Sequence, residues 1–219
     1  MVTNTLNSPQ IVQLLDRLFI EADASEPALQ TVAQSDASSL LTSRTDYRRF
    51  YGMLKDIPLP VSRETGLLLY MLVRSTDARS VLEFGTSFGV STIYLASALR
   101  DNGGGHILTT EFEASKAARA REHLTEAGLI DLVEIREGDA LETLAHHLPE
   151  TFDLVLLDGA KALYADVLDR VESHLKPGSL IFADDARHCP KFVSRMRSDA
   201  PHYVSVPLAG DLEMSMRLS

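Results

Sequence analysis

Acidic side chains recur in this chain at the ends of short apolar runs. Glu83 stands in Val81-Leu82-Glu83-Phe84-Gly85-Thr86-Ser87-Phe88-Gly89-Val90-Ser91, Glu111 closes the run that starts at His106, and Asp139 stands in Gly138-Asp139-Ala140. Asp158 ends the run from Phe152, and Asp184-Asp185 end the run from Leu180. Each acid alone reads plainly as a helix N-cap or first-turn residue. In succession they can receive hydrogen bonds from several donors of one ligand. A carboxylate at Glu111 can accept from both hydroxyls of a ribose, and one at Asp139 from an adenine amino group, which does not separate one nucleoside from another. Gly85 and Gly89 let a ligand approach the backbone. A pyrophosphate would need G-x-G-x-x-G on the helix N-terminus, whereas here the glycines are four apart and preceded by Glu83, which suits a cationic or amino-bearing ligand better. Lys161, three residues after Asp158, sits at a helix start, where most lysines are solvated.

The elements that must position these residues alternate. Runs at Val81 to Phe84, His106 to Glu111, Leu132 to Ile135, Phe152 to Asp158 and Leu180 to Asp184 are separated by helical stretches near 90–100, 113–127, 139–147 and 160–174. That order predicts an α/β fold, a mostly parallel sheet with helices on both faces and ligands at the carboxyl ends of its strands. Tyr203 to Pro207 and Leu212 to Leu218, joined by Leu208-Ala209-Gly210-Asp211, predict a closing antiparallel hairpin. Upstream, Ser8-Pro9 begins an amphipathic helix carrying Ile11, Leu14, Leu15, Leu18 and Phe19. A weaker helical pattern runs from Ala24 to Thr45, a short helix spans Asp46 to Leu54, and Ser62 caps a helix to about Arg74. Residues 1–57 thus form a helical extension, expected to serve as lid and dimer contact, ahead of a domain at 58–219.

Composition bounds the partners. The 219 residues carry 21 Lys and Arg against 31 Asp and Glu, a net charge of −10 with no basic cluster, which argues against nucleic acid and anionic lipid. The single cysteine, Cys189, forms no intrachain disulfide, and no apolar run reaches the ~20 residues of a membrane span. With no secretory signal read at the N-terminus, a cytoplasmic enzyme acting on a small molecule is expected.

The ordered set Val81 to Ala96, the Glu111 strand end, Gly138-Asp139-Ala140, Phe152 to Lys161 with Tyr164, Leu175 to Asp185 and Asp211 to Arg217 resembles the class I S-adenosylmethionine-dependent O-methyltransferases, in particular the small catechol and caffeoyl-CoA type. The resemblance covers roughly residues 58–219 and implies a Rossmann-like sheet of order 3-2-1-4-5-7-6 with the seventh strand antiparallel. It implies that Glu83, Gly85, Ser87 and Gly89 shape the methionine end of the cofactor site, Ser91 binds the cofactor carboxylate, and Val61 and Ser62 cover the methionine. Glu111 would hold the ribose, Phe112 flank the adenine, and Asp139 and Ala140 contact its edge.

The resemblance further implies that Asp158, Asp184 and Asp185 converge on a hard cation, Mg2+ or else Mn2+ or Ca2+, with Asp158 also beside the cofactor. Lys161 would take a hydroxyl proton or steady the oxyanion. The family has Asp-Asn where this chain has Asp184-Asp185, one more negative charge at the site. The implied reaction is in-line methyl transfer to an oxygen of a catechol-like acceptor by a homodimer. A metal-independent O- or N-methyltransferase, a nicotinamide-dependent oxidoreductase and a non-catalytic binding protein are the alternatives.

Overall fold

Residues that alternate along the central strands belong to two different cores, which is the signature of a sheet buried on both sides. Val81, Leu154, Leu156, Leu180 and Phe182 pack on one face, and Leu82, Phe84, Val155, Leu157 and Ile181 on the other. The structure is a computed structural model that describes residues 4–35, 40–198, 202–209 and 211–219. Its strands are β1 (Ser80–Phe84), β2 (His106–Glu111), β3 (Val133–Glu137), β4 (Phe152–Leu157), β5 (Leu175–Ala183), β6 (Tyr203–Leu208) and β7 (Leu212–Arg217). They form one sheet in the order 3-2-1-4-5-7-6. Pairings from β3 to β5 are parallel, and β7 runs antiparallel to both of its neighbours.

The expected elements are present with shifted ends. Leu132 closes a short 3-10 turn, so the third strand starts at Val133. The fifth strand starts earlier, at Leu175 opposite Phe152, with the register shifting before Leu180; Pro177 and Gly178 fall in that irregular stretch, where a proline is tolerated. The expected helix at 139–147 is a single turn, α6 (Ala140–Thr143), after α4 (Val90–Asp101) and α5 (Ala114–Glu126). It is followed by α7 (Tyr164–Val171) and α8 (Pro190–Met196). Gly210 of the expected hairpin turn and residues 36–39 of the weak helical stretch lie outside the described residues.

The upstream helices are α1 (Pro9–Ala33), α2 (Tyr47–Met53) and α3 (Arg63–Ser75). Helix α1 buries Ile11, Leu14, Leu15 and Leu18 in the same core as Val73, Ile93 and Leu95 of α3 and α4. Its apolar stripe therefore covers its own domain. Helix α3 crosses α4 closely because Gly66 has no side chain: a Cβ there would lie 2.4 Å from Cε2 of Tyr94. Gly66→Ala is expected to destabilise the fold by about 1–3 kcal/mol through overpacking, despite alanine's better helix propensity. A urea midpoint equal to that of the wild type would show that Tyr94 can swing aside.

Candidate active site

The turn after β1 is built from residues that must take left-handed backbone. Gly85 has φ +103, and a Cβ there would lie 2.6 Å from the Asp158 carbonyl, so the ends of β1 and β4 close together only around a glycine. Gly89, at φ +86, begins α4, where a Cβ would press on Ala120 of α5. Between them Ser87 donates its amide to Glu111 Oε2 (2.7 Å) and accepts from the Leu59 amide at Oγ (3.2 Å). The turn is thereby wired to the end of β2 and to the segment before α3. A cavity opens over these strand ends, lined by Pro58, Leu59, Pro60, Gly85, Ser87, Ser91, Glu111, Phe112, Asp139, Ala140 and Asp158 among others.

Several expected ligand contacts are placed differently. Glu83 does not face the cavity: it is fully buried and its carboxylate accepts from Ser91 Oγ (2.6 Å), Thr92 Oγ1 (2.6 Å) and Thr109 Oγ1 (2.7 Å). It fastens the turn and α4 to β2 from beneath. Ser91 lines the cavity, yet its hydroxyl proton is committed to Glu83 and is not offered to a carboxylate. Val61 is buried in the core, and Ser62 caps α3 by accepting from the Thr65 amide (3.1 Å); the adjoining Pro58, Leu59 and Pro60 form the wall instead.

Burial pushes the Glu83 carboxyl up to about 7, against the pull of its three hydroxyl donors. A carboxyl whose folded pKa lies above its unfolded one stabilises the fold below the unfolded value and loses that contribution as pH rises through the folded value. The window is therefore about 4.5 to 7. Glu83→Gln should flatten the pH dependence of unfolding free energy across that window, by on the order of 3 kcal/mol at most. An unaltered slope would place the proton elsewhere.

Opposite the turn, α2 closes over the Asp139 end of the cavity with residues that the sequence reading did not assign to a site. Tyr47 Oη donates to Asp139 Oδ2 (2.9 Å), Arg48 forms an ion pair with the same oxygen, and the Arg48 guanidinium lies 5.6 Å from the centre of the Phe112 ring. Against its partial burial, the Leu141 amide, Arg48 and Tyr47 hold Asp139 below the usual carboxylate range. Glu111 is held by two amides, from Ser87 and from Glu113 (2.9 Å), and burial raises its pKa. Each of its oxygens keeps a further acceptor position for a ligand hydroxyl.

The three aspartates expected to gather around a cation do not do so. Burial raises the pKa of both Asp158 and Asp184, whose carboxyls act on each other. Asp185, at φ +51, is turned towards Lys161 instead. The Lys161 ammonium contacts Asp158 Oδ1 (3.1 Å), Asp185 Oδ2 (3.5 Å) and Tyr164 Oη (2.9 Å). Among the described residues no group of three His, Cys, Asp or Glu side chains is placed to hold a metal ion. As arranged, the donor set does not fit a divalent cation, because an ammonium already sits between two of the carboxylates.

Desolvation opposes the charge on Lys161, but Tyr164, Asp158, Tyr51 and Asp185 keep its pKa well above the ordinary value. Tyr164 is buried and donates to the Asp184 carbonyl (2.8 Å). Lys161 also lines a second cavity with Thr42, Arg44, His188, Cys189 and Lys191.

Residues 82–186 match a methyltransferase domain family. A catechol O-methyltransferase of Niastella koreensis is 35% identical over 130 residues, 58% of each chain. One of Mycobacterium tuberculosis is 35% identical over 156 residues, 71% of this chain and 61% of that protein. The chain thus spans about three-fifths of these curated relatives. An O-methyltransferase of Streptomyces achromogenes involved in tomaymycin synthesis, solved with S-adenosylmethionine, superposes with a TM-score of 0.66 at 25% identity over 94% of this chain and 99% of that one. A match that opens in β1 and closes just past Asp185, within a sheet of this strand order, accounts for the motifs together: the chain belongs to the class I S-adenosylmethionine-dependent O-methyltransferase family.

Proposed function

We propose that the chain transfers the methyl group of S-adenosylmethionine to a hydroxyl oxygen of a small catechol-like or otherwise ortho-oxygenated molecule. The observation that carries this reading is Glu111, an acceptor pinned by two amides at the end of β2 inside the cavity over the glycine turn. The bound sulfonium would lie near Asp158, whose carboxyl lines the same cavity and contacts Lys161. The acceptor oxygen attacks the methyl carbon, the carbon–sulfur bond breaks with its electron pair going to sulfur, and S-adenosylhomocysteine leaves. Lys161, reached from the second cavity, favours the deprotonated oxygen while its proton departs to water. Holding oxygen, carbon and sulfur in line can supply ~7–11 kcal/mol of the rate effect. The names of the relatives support the catechol-like class.

Helix α2 is the lid in this reading, since Tyr47 and Tyr51 line the cavity, whereas α1 is a wall of the core. No helix among the described residues is long and apolar enough to cross a membrane. A cytoplasmic homodimer acting on a small molecule remains the working proposal, with light scattering of the purified chain as the test of its mass. Calorimetry should show S-adenosylhomocysteine binding and no binding of NAD; the reverse would move the chain to nicotinamide chemistry. A divalent ion held by Asp158, Asp184 and Asp185 is the alternative reading, and it requires Lys161 to leave its place between Asp158 and Asp185. Turnover of a catechol in excess chelator decides it: loss that Mg2+ restores selects the ion, and unchanged turnover leaves Lys161 as the site's cation.

A further inference from the structure

The two cavities are opposite in sign. The one over the glycine turn is lined by the carboxylates of Glu111, Glu113, Asp139 and Asp158, against the single cation of Lys116 among the described residues. The second is lined by Arg44, Lys161, Arg187 and Lys191, and by no aspartate or glutamate among the described residues, in a chain whose net charge is −10. Its floor is aromatic: the rings of Tyr164 and Phe192 meet edge to face at 5.9 Å. The Cys189 thiol donates to the Lys161 carbonyl (3.3 Å), which ties the turn after β5 to the segment after β4.

These cations stand at different depths and are committed to different degrees. Lys161 is buried and held by Asp158 and Asp185. Arg44 is paired with Asp166 (2.6 Å) and Arg187 with Asp211 (2.5 Å), acids that do not line the cavity. Both arginine side chains are more than half exposed, where such pairs are worth little, and each guanidinium keeps further N–H donors for a ligand. Lys191, in the first turn of α8, is exposed and makes no ion pair with a described residue. We propose that the second cavity selects an acceptor bearing a carboxylate, an ortho-dihydroxylated aromatic acid whose hydroxyl oxygens meet Lys161 in the depth and whose carboxylate meets Arg187 and Lys191 at the rim. This deepens the acceptor reading given above and rests on it. The sulfonium cofactor and the anionic acceptor are then each drawn to the cavity of opposite charge.

The test compares steady-state methylation of 3,4-dihydroxyphenylacetate and of its neutral amide, 3,4-dihydroxyphenylacetamide, in which the methylene keeps the ring hydroxyls alike. The wild type is expected to favour the acid by at least about tenfold in kcat/KM, mainly through KM, and to lose that preference as salt is raised. The double variant Arg187→Gln/Lys191→Gln should bring the two acceptors within about twofold, while Lys191→Arg alone keeps the preference. Calorimetric affinity of the variants for S-adenosylhomocysteine reports that they are folded. A preference that survives in the double variant overturns the proposal, as does an equal loss for both acceptors, which would make the two residues structural. A wild type that does not distinguish acid from amide overturns it even where the double variant fails to fold. A wild type that binds S-adenosylhomocysteine but methylates neither compound would overturn the catechol-like reading itself, and this inference with it.

Discussion

Lys161→Met is expected to lower turnover by about 10²–10³-fold, the usual cost of removing one donor aimed at a developing negative oxygen, while affinity for S-adenosylhomocysteine stays within about twofold. The split follows from where the side chain lies. Lys161 lines the second cavity and not the one over the glycine turn, so its loss reaches the cofactor only through Asp158. Methionine matches the length of the stem but leaves Asp158, Asp185 and the Tyr164 hydroxyl without their shared cation. The neighbouring carboxyls then hold protons more tightly, which leaves nothing positive to face an acceptor oxyanion. Steady-state rates with a catechol, set beside calorimetric affinity, check both halves. Turnover within tenfold of the wild type would remove Lys161 from the chemistry, and a parallel collapse of cofactor affinity would make it a structural residue.

Glu111→Ala should weaken S-adenosylhomocysteine binding by about 10²-fold, since hydrogen bonds to a charged acceptor are worth ~1.5–3 kcal/mol each before water compensates, and two ribose hydroxyls lose theirs. The substitution also frees the Ser87 amide, which Glu111 Oε2 holds at 2.7 Å, so the turn loses part of its tether to β2. Glu111→Gln separates the two effects. It keeps an acceptor for an amide but not the charge, and it should fall between wild type and alanine. Calorimetry at constant pH measures all three, and equal affinities would mean that the ribose is held elsewhere.

The parts of this molecule that were legible in advance are those set by local pattern. Apolar runs, helical spacing and glycines at strand ends placed β1, β2 and β4 within a residue or so, and the resemblance supplied the strand order with its antiparallel seventh strand. What escaped reading depends on contacts far apart in the chain. Glu83 is neutralised as a ligand group by Ser91 and Thr92, eight and nine residues on, and by Thr109 across the sheet. Nothing in its own run shows that. Tyr47 and Arg48 reach an aspartate more than ninety residues away, from a helix whose spacing marked Tyr47 only as part of its apolar side. The three aspartates were correctly located at strand ends, but spacing along a chain does not say whether a lysine three residues on will come between two of them.

The closed pairing of Asp139 with Tyr47 and Arg48 gives the pocket a competitor of its own. Under the proposed reading, an adenine amino group that took up Asp139 would exchange one set of hydrogen bonds for another, so that edge would add little to the depth of binding. If those contacts must break first, the observed dissociation constant would be the intrinsic one divided by the fraction of molecules in which they are broken. The same exchange would sharpen choice: a purine that presents no donor at this edge would break those contacts and leave Asp139 with no replacement partner.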